Sequence, residues 1–381
     1  MVQLAEATLC TGCHACFSVC PVTAIEMQFS SEGFLYPKID EAKCIECGLC
    51  VKACPIITKQ PIPVRETEAY AAYHSDENIR MQSSSGGIFT AIAESIINDG
   101  GVVFGAKFAY DFSVVHDWTD SIQGLAAFRG SKYVQSTIGN SYKECKDFLE
   151  QGRQVLFTGT PCQIGGLKAY LKKEYINLIC VDIICFGVPS PNIWQKNITY
   201  FKNNFNKNII FVKFRDKSHG WLNSKISFKN NKGIIYSNEL TNDTYCKLFL
   251  NGLILRESCY RCFFKGGTRF SDLTLGDLWG ANNEFVHLFD NKGISLVIAN
   301  TEKGFELIES IKKILIIEKI DLKRALKYNP LYQESAKRHL LRNIIFYFKT
   351  RNIKIYEFIF FLYKVSNFIV KKYKDIIRNF K

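Results

Sequence analysis

Two runs of cysteine open the chain. In CTGCHACFSVCP, Cys10, Cys13, Cys16 and Cys20 stand ahead of Pro21. Cys44, Cys47, Cys50 and Cys54 repeat the same C-x2-C-x2-C-x3-C-P spacing ahead of Pro55, each 34 positions after its counterpart. Three thiols two residues apart can wrap one face of an iron-sulfur cube if the loop coils tightly, and in paired runs of this kind the fourth cysteine serves the neighbouring cube. The spacing therefore predicts one [4Fe-4S] cluster on Cys10, Cys13, Cys16 and Cys54, and a second on Cys44, Cys47, Cys50 and Cys20. Gly12, Ala15 and Gly48 keep the loops small enough for backbone N–H groups to reach the sulfides. Zinc is the competing reading, but its ligands come as separated pairs. Since four cysteines complete each set, His14 is read as an exposed residue or a neighbour of the cluster, not a ligand.

More chemistry lies further along. Cys162 stands in TGTPC, Cys185 in CFGVPS, and Cys259 and Cys262 in CYRC. Four cysteines from three loops could close around another cluster. Buried, inert thiols fit the spacing equally, since cysteine is among the most buried residue types. Cys145, Cys180 and Cys246 fall inside predicted helices or a strand and read as core thiols. Two loop-to-helix joins, Ser83-Ser84-Ser85-Gly86-Gly87 and Thr158 to Cys162, could bind an anion through free N–H groups and the helix dipole. Neither matches a phosphate-loop or dinucleotide fingerprint, so a capping loop is an equal reading. FRDKSHGW supplies Arg215, Asp216, Lys217 and His219. An ordinary charged turn and a site that contacts an anionic substrate or moves a proton both fit; in the second, Lys217 and His219 are the catalytic candidates. Asp277 and Trp279 of GDLWG read as structural.

The elements that must position these groups follow from pattern. With 381 residues and 47% hydrophobic content, two or three domains are expected. The opening MVQLAEATLC has neither the basic start nor the apolar run of an export signal. Cysteines at tight spacing then point to metal or redox chemistry in a reducing cytoplasm. AIEMQFSSEGFLYPKID reads as strand, turn, strand, and TKQPIPVRETEAY as a linker. Beyond it, strands and helices alternate: a helix in IFTAIAESIIN, strands in VVFGAKFA and SVVHDW, strand-loop-helix in RQVLFTGTPCQIGGLKAYLKK and again in INLICVDIICFGVPSPNIWQKNITYF, and a hairpin in KISFKNNKGIIYSNE. The fold class is α+β: a two-cluster domain over 1–60, a linker over 61–69, a larger mixed α/β domain over 70–335, and a helical tail over 336–381.

Several blocks in this order carry a resemblance: SSSGGIFTAIAE, GSKYVQS, VLFTGTPCQIGGLKAYL, CFGVPSP, FRDKSHGW, CYRCFFKGGTRFSDLTLGDLWG and GISLVIANT. The chain resembles the beta subunits of coenzyme F420-reducing hydrogenase and of F420-linked dehydrogenases, in the long form with a bacterial ferredoxin-type two-cluster domain in front. The likeness covers roughly residues 1 to 300. It implies an FAD and iron-sulfur oxidoreductase that passes electrons between clusters and F420 or another organic acceptor. It implies that Ser85, Gly86 and Gly87, Ser131, Lys132, Tyr133, Gln135 and Ser136, and Thr158, Gly159 and Thr160 line the FAD site. Lys132 would offset diphosphate charge or hold the isoalloxazine edge; as a bare sequence feature it reads as a solvated loop lysine. The likeness also implies a third [4Fe-4S] cluster on Cys162, Cys185, Cys259 and Cys262. Many relatives have Cys-His-Gly where this chain has Cys185-Phe186-Gly187, so a polar neighbour is lost. A redox partner protein (a ferredoxin, or a subunit of a hydrogenase or dehydrogenase) and a small two-electron substrate complete the expectation. Competing functions are a non-catalytic electron-transfer adaptor and a ferredoxin-dependent reductase of an organic metabolite, as in the chlorophyll-derivative reductases that this family resembles.

Net charge excludes one more class. Of the +13 total, the stretch from Ala336 to Lys381 supplies +10, from twelve basic and two acidic residues. The body is nearly balanced, and no groove-reading motif accompanies the charge, so nucleic acid is not expected. The tail's longest uncharged stretch, Phe358 to Tyr363, is far short of the roughly 20 residues that span a bilayer. Apolar residues mixed with Lys and Arg point to peripheral contact with the inner face of the membrane or to partner docking. A helix that covers the body is the alternative.

Overall fold

The computed structural model of the chain describes residues 2–59, 66–205, 208–267, 269–348, 352–363 and 365. Its front segment is built twice over. Helices Ala15–Val19 and Leu49–Lys52 each carry the third cysteine of a run. Ahead of them His14 (φ 66, ψ 5) and Gly48 (φ 67, ψ 4) take the same left-handed conformation, as do Gly12 (φ 66) and Glu46 (φ 53) two residues earlier. The sequence repeat is thus a repeat of backbone geometry, kept even where a histidine and a glutamate must adopt a conformation that favours glycine. Strands β1 (Ile25–Phe29) and β2 (Leu35–Ile39) pair antiparallel between the two halves.

The body holds a mixed sheet of eight strands. These are β3 (Glu68–His74), β4 (Val102–Phe108), β5 (Val114–Thr119), β6 (Val155–Gly159), β7 (Leu178–Ile183), β11 (Leu273–Asp277), β12 (Ser295–Ala299) and β13 (Leu315–Ile320), in the order β13-β3-β12-β11-β7-β6-β4-β5. The four strands β11, β7, β6 and β4 are mutually parallel, and antiparallel strands flank them on both sides. Their sequences explain this: Val155–Phe157 and Leu178–Asp182 are buried throughout, as strands covered on both faces must be. Helix Ile88–Asn98 turns its apolar residues onto one face, and Ile88, Ala91, Ile92 and Ile96 join that core. Strands β8 (Phe211–Asp216), β9 (Lys225–Asn230) and β10 (Gly233–Glu239) form a separate antiparallel sheet. It packs with helix Pro191–Phe205 around the buried Trp194.

Two expected boundaries change. Strand β3 begins at Glu68, inside the segment read as linker; residues 60–65 of that segment lie outside the described residues. The tail does not begin as a separate unit at residue 336: Ala336, Leu341, Ile345, Ile353, Tyr356 and Phe360 are buried in the same core as Trp194 and Tyr245. Its apolar stripe matches a surface that the body already presents. Residues 366–381 lie outside the described residues. Among the described residues, no helix is long and apolar enough to cross a membrane. The buried Arg342 also ties front to body, giving Glu32 a two-point contact at 2.9 and 2.6 Å and donating to the Leu255 carbonyl at 3.1 and 3.0 Å.

Candidate functional site

The thiols of the front segment sort into the crossed sets. Burial pushes Cys13 up to about 12, and charge on Cys10 and Cys54 pushes the same way. Burial also raises Cys16, with Cys13, Cys10 and Cys54 adding to it. Cys54 thus stands with the first run. Cys20 stands with the second: a small, almost wholly apolar hollow is lined by Cys20, Cys44, Cys47 and Cys50. The Ala24 N–H donates to Cys20 Sγ at 3.2 Å. Among the described residues, no group of three His, Cys, Asp or Glu could hold a single metal ion. A cube offers one iron to each of four thiols, and each set supplies four. His14 is not exposed. It is 3% accessible, and burial, helped by the Arg256 charge, lowers it to about 4, so its ring is neutral.

The body thiols also converge. Cys162 is the second residue of helix Pro161–Leu171 and lies 3.1 Å from Thr160 Oγ1. Cys185 follows β7. Cys259 sits in the short turn Glu257–Arg261, and its sulfur accepts the Val188 N–H at 3.4 Å. Burial raises all four thiols, Cys185 to about 11 and Cys259 to about 12, and like charge from the others adds in each case except Cys262. A buried set of mutually repelling thiols is what a cationic metal centre stabilises as thiolates. Lys265 donates to the Cys185 and Leu331 carbonyls and fixes that loop. Cys145, Cys180 and Cys246 are buried within elements.

A cavity of about 820 Å³ opens at the carboxyl ends of β6, β7 and β11, where ligands of parallel sheets bind. One part is lined by Ser83 to Ser85, Gly87, Gly130 to Tyr133, and Thr158 to Thr160. Another is lined by Arg215, Trp221, Asp277, Trp279 and Tyr328, and Cys185 borders the space. A capping box at Thr160 and Gln163 holds the loop after β6. Behind it runs a buried network. Gln163 Nε2 donates to Ser136 Oγ at 2.9 Å, Ser136 lies 3.0 Å from His116 Nδ1, and His116 Nε2 lies 3.0 Å from the Thr158 carbonyl. A carbonyl only accepts, so Nε2 carries the proton and Nδ1 accepts from the serine. Burial lowers His116 to about 4, which keeps this ring neutral.

Of the expected flavin-site residues, Ser85, Gly87, Ser131, Lys132, Tyr133, Ser136, Thr158, Gly159 and Thr160 reach this cavity. Gly86 and Gln135 do not line it. Gly86 instead lies tight against β3 and β12, where a Cβ would meet the Ala72 carbonyl and the Ser295 backbone nitrogen. Gln135 turns to the front segment and donates to the Thr11 carbonyl at 3.1 Å. Lys132 is no solvated lysine: its ammonium donates to the carbonyls of Ala127, Phe128 and Arg129 at 2.8, 2.9 and 3.2 Å.

The two catalytic candidates lie away from the cavity. Neither Lys217 nor His219 lines the cavity. The Lys217 ammonium is fully used, donating to the carbonyls of Arg80, Ser85 and Lys292 at 2.6, 2.8 and 2.6 Å. His219 is exposed beside Ser218. Of the charged residues in that block, Arg215 does line the cavity, paired with Asp277 at 3.0 Å and 5.1 Å from the Trp279 ring centre. Its Nε and Nη2 are buried without a partner. Asp277 also accepts from Trp221 Nε1 at 2.9 Å, and the two tryptophans stack 5.0 Å apart at 4°. Arg215, one of the charged residues singled out in FRDKSHGW, thus stands with Asp277 and Trp279, read as structural, and with the unmarked Trp221 in one polar and aromatic wall.

Both parts of the chain are similar to known proteins. Residues 152–324 match a family described as the C terminus of the beta chain of coenzyme F420 hydrogenase/dehydrogenase. Residues 9–56 and 36–87 each match a 4Fe-4S dicluster domain. The chain is 25% identical over 357 residues to a coenzyme F420-dependent sulfite reductase of Methanocaldococcus jannaschii, covering 88% of this chain and 52% of that one. It is 22% identical over 205 residues to one subunit, the F component, of the F420H2 dehydrogenase of Methanosarcina mazei, covering 49% and 55%. It therefore spans about half the length of these relatives. A solved structure of the F420-reducing [NiFe] hydrogenase complex from Methanosarcina barkeri aligns with a TM-score of 0.47 at 17% identity, covering 71% of this chain and 92% of the matched one.

Proposed function

We propose, from the premise that this chain belongs through residues 152–324 to the coenzyme F420 hydrogenase/dehydrogenase beta-subunit family and carries 4Fe-4S dicluster domains in front, that it is an iron-sulfur flavoprotein oxidoreductase. It would pass electrons between three [4Fe-4S] clusters and a two-electron organic substrate, F420 or another acceptor, at the cavity. The observation that carries this reading is continuity. Thr160 lines the cavity, Cys162 follows it on the same helix, and Gly166, one turn on, lies against Cys13 of the first cluster loop. Cavity, body thiols and front thiols form one connected series.

The hydroxyl-rich end of the cavity supports placing FAD there, where Ser84, Ser85, Gly87, Ser131 and the Thr158 to Thr160 loop would take the diphosphate. Bound there, the flavin would exchange electron pairs with substrate and single electrons with clusters. Arg215, which lines the cavity and keeps two buried donors without a partner, would orient an anionic or carbonyl edge of the substrate. His116 is a neutral strut for the Thr158 loop, not a proton donor. At the other end, Cys47 is exposed, with Ile45 and Phe29 also exposed on that segment. The second cluster is thus the port for a redox partner. Anaerobic purification should yield about twelve iron atoms per chain, at four per cube, together with FAD that bleaches on adding its two-electron donor. About eight iron atoms without flavin would instead establish the adaptor reading.

The chain's late segment supports peripheral membrane contact as part of the same proposal. Phe358, Phe361 and Leu362 are exposed beside the buried Tyr356 and Phe360. Replacing these three by glutamate should abolish co-sedimentation with anionic vesicles while leaving the core intact; unchanged co-sedimentation would reject the contact.

A further inference from the structure

Arg256 occupies the join between the front segment and the body, and nothing in the family reading assigns it a role. Its side chain is wholly buried. Every arm of the guanidinium is used. Nε donates to the Cys10 carbonyl at 2.7 Å, Nη1 to Gln135 Oε1 at 3.1 Å, and Nη2 to the Leu35 carbonyl at 2.9 Å and to Cys10 Sγ at 3.7 Å. The Tyr36 ring covers it, with its centre 4.1 Å from the guanidinium carbon. The cluster loop is shaped around it: a Cβ on Gly12 would come within 2.7 Å of Nη1. Arg256 also stands three residues before Cys259, whose N–H donates to the Arg256 carbonyl at 2.9 Å. Its partners are two carbonyls, an amide and a thiol, with no carboxylate accepting from it among the described residues.

We propose that Arg256 is a positioning residue that raises the reduction potential of the cluster on Cys10, Cys13, Cys16 and Cys54, so that this cluster takes electrons from the body readily. The inference rests on the reading of these cysteines as [4Fe-4S] ligands. A guanidinium carries a fixed positive charge and five donors. Placed on a ligand sulfur in a buried site, it stabilises the reduced cluster, which has gained one negative charge; hydrogen bonds to sulfur, net charge and exposure are the levers that set such potentials. Burial and the lack of a carboxylate partner leave the charge poorly screened. Among the described residues, the sulfurs of the second set accept from the Ala24 backbone N–H but from no side-chain cation, so the effect falls on one cluster of the pair.

The test is a redox titration of the intact, cluster-loaded protein, followed by the electron paramagnetic resonance of its reduced clusters. In Arg256→Gln one midpoint should fall by a tenfold change in the reduction equilibrium, about 59 mV for a one-electron couple, while the solvent-facing cluster stays within about twofold. Arg256→Lys keeps the charge and loses the fork, so its shift should be smaller but in the same direction. If Arg256→Gln fails to hold its clusters, the lysine variant decides alone. Unchanged midpoints, or an equal shift of every cluster, overturn the proposal and leave a docking role. A wild-type chain that takes up no [4Fe-4S] cluster overturns the ligand reading and the proposal with it.

Discussion

Gly166→Ala tests the contact on which the proposed electron path depends, because two physical effects oppose each other there. Gly166 lies inside helix Pro161–Leu171, where alanine is favoured over glycine by about 1 kcal/mol. On helix propensity alone, the substitution stabilises. The added Cβ, however, would lie 2.8 Å from Tyr142 Oη, 2.9 Å from Cys13 Cβ and 3.0 Å from Cys13 Sγ. Neither neighbour yields easily. Tyr142 is fully buried and its hydroxyl donates to the Gln163 carbonyl at 2.6 Å. Cys13 is fixed through its sulfur when a cluster is bound. Overpacking of this kind costs about 1–3 kcal/mol, and three simultaneous contacts place it near the upper end. The expected net effect is a loss of about 2 kcal/mol, after the gain of about 1 kcal/mol from propensity. Anaerobic denaturant unfolding of the cluster-loaded chain, read by cluster absorbance and by far-ultraviolet dichroism, measures it. Combining Gly166→Ala with Tyr142→Phe removes the nearest oxygen and should recover part of the loss, a coupling of about 1 kcal/mol in a double-mutant cycle. If Gly166→Ala alone is stabilising, the helix does not touch the first cluster loop, and the continuity from cavity to front segment is wrong.

Two further outcomes follow from buried polar groups. Ser136→Ala leaves His116 Nδ1 and Gln163 Nε2 without their partner; a stability lowered by about 1–3 kcal/mol is expected in denaturant unfolding, and an unchanged one would dissolve the network. Glu357 is the pH-sensitive contact of the late segment: burial raises its carboxyl, but bonds from Lys247, Thr244 and Lys354 outweigh it and bring it to about 2. A carboxyl lowered on folding stabilises above its unfolded value of 4.5 and loses that contribution as pH falls towards 2. Faster hydrogen exchange over 353–363 is therefore expected in Glu357→Gln at neutral pH, with wild type and variant converging in acid; curves that stay parallel would refute it.

What the sequence disclosed was whatever is local. The 34-residue repeat needs only counting, and its geometry recurs at His14 and Gly48. Strand-loop-helix at Val155 to Leu171 is visible from β-branched residues, then Thr-Pro at a helix start. The late segment's apolar face was visible too, but whether it is covered depends on Trp194 and Tyr245, far earlier in the chain. The choice among the cations of FRDKSHGW was not legible for a definite reason. Strand β8 shifts register between Lys213 and Asp216, so simple alternation cannot say which side chain faces the cavity. Arg215 does, while Lys217 passes behind and binds three carbonyls. Asp277 and Trp279 looked structural because their partners, Arg215 and Trp221, are distant in sequence and join them only in the fold.

Under the proposed function, much would rest on one helix. Cluster chemistry requires fixed spacing between centres, and a loop cannot hold spacing as a helix does. From Thr160 on the cavity wall to Gly166 at the first cluster loop is six residues, about 9 Å of rise at roughly 1.5 Å each, with Cys162 between them. The capping box at Thr160 and Gln163 fixes where that helix starts, and the paired glycines Gly165 and Gly166 let Phe264 and Cys13 close on it. Larger residues would move the front segment outward; a looser start would move Cys162. The glycines weaken the helix intrinsically, so their presence is better explained by the approach they permit than by the helix itself. Arg256 then makes that approach electrostatically specific: it joins Cys10 and Leu35 of the front segment to Gln135 of the body with hydrogen bonds that apolar packing could not direct. Geometry and charge at this join thus act on the same cluster, and they can be perturbed separately, by Gly166→Ala and by Arg256→Gln.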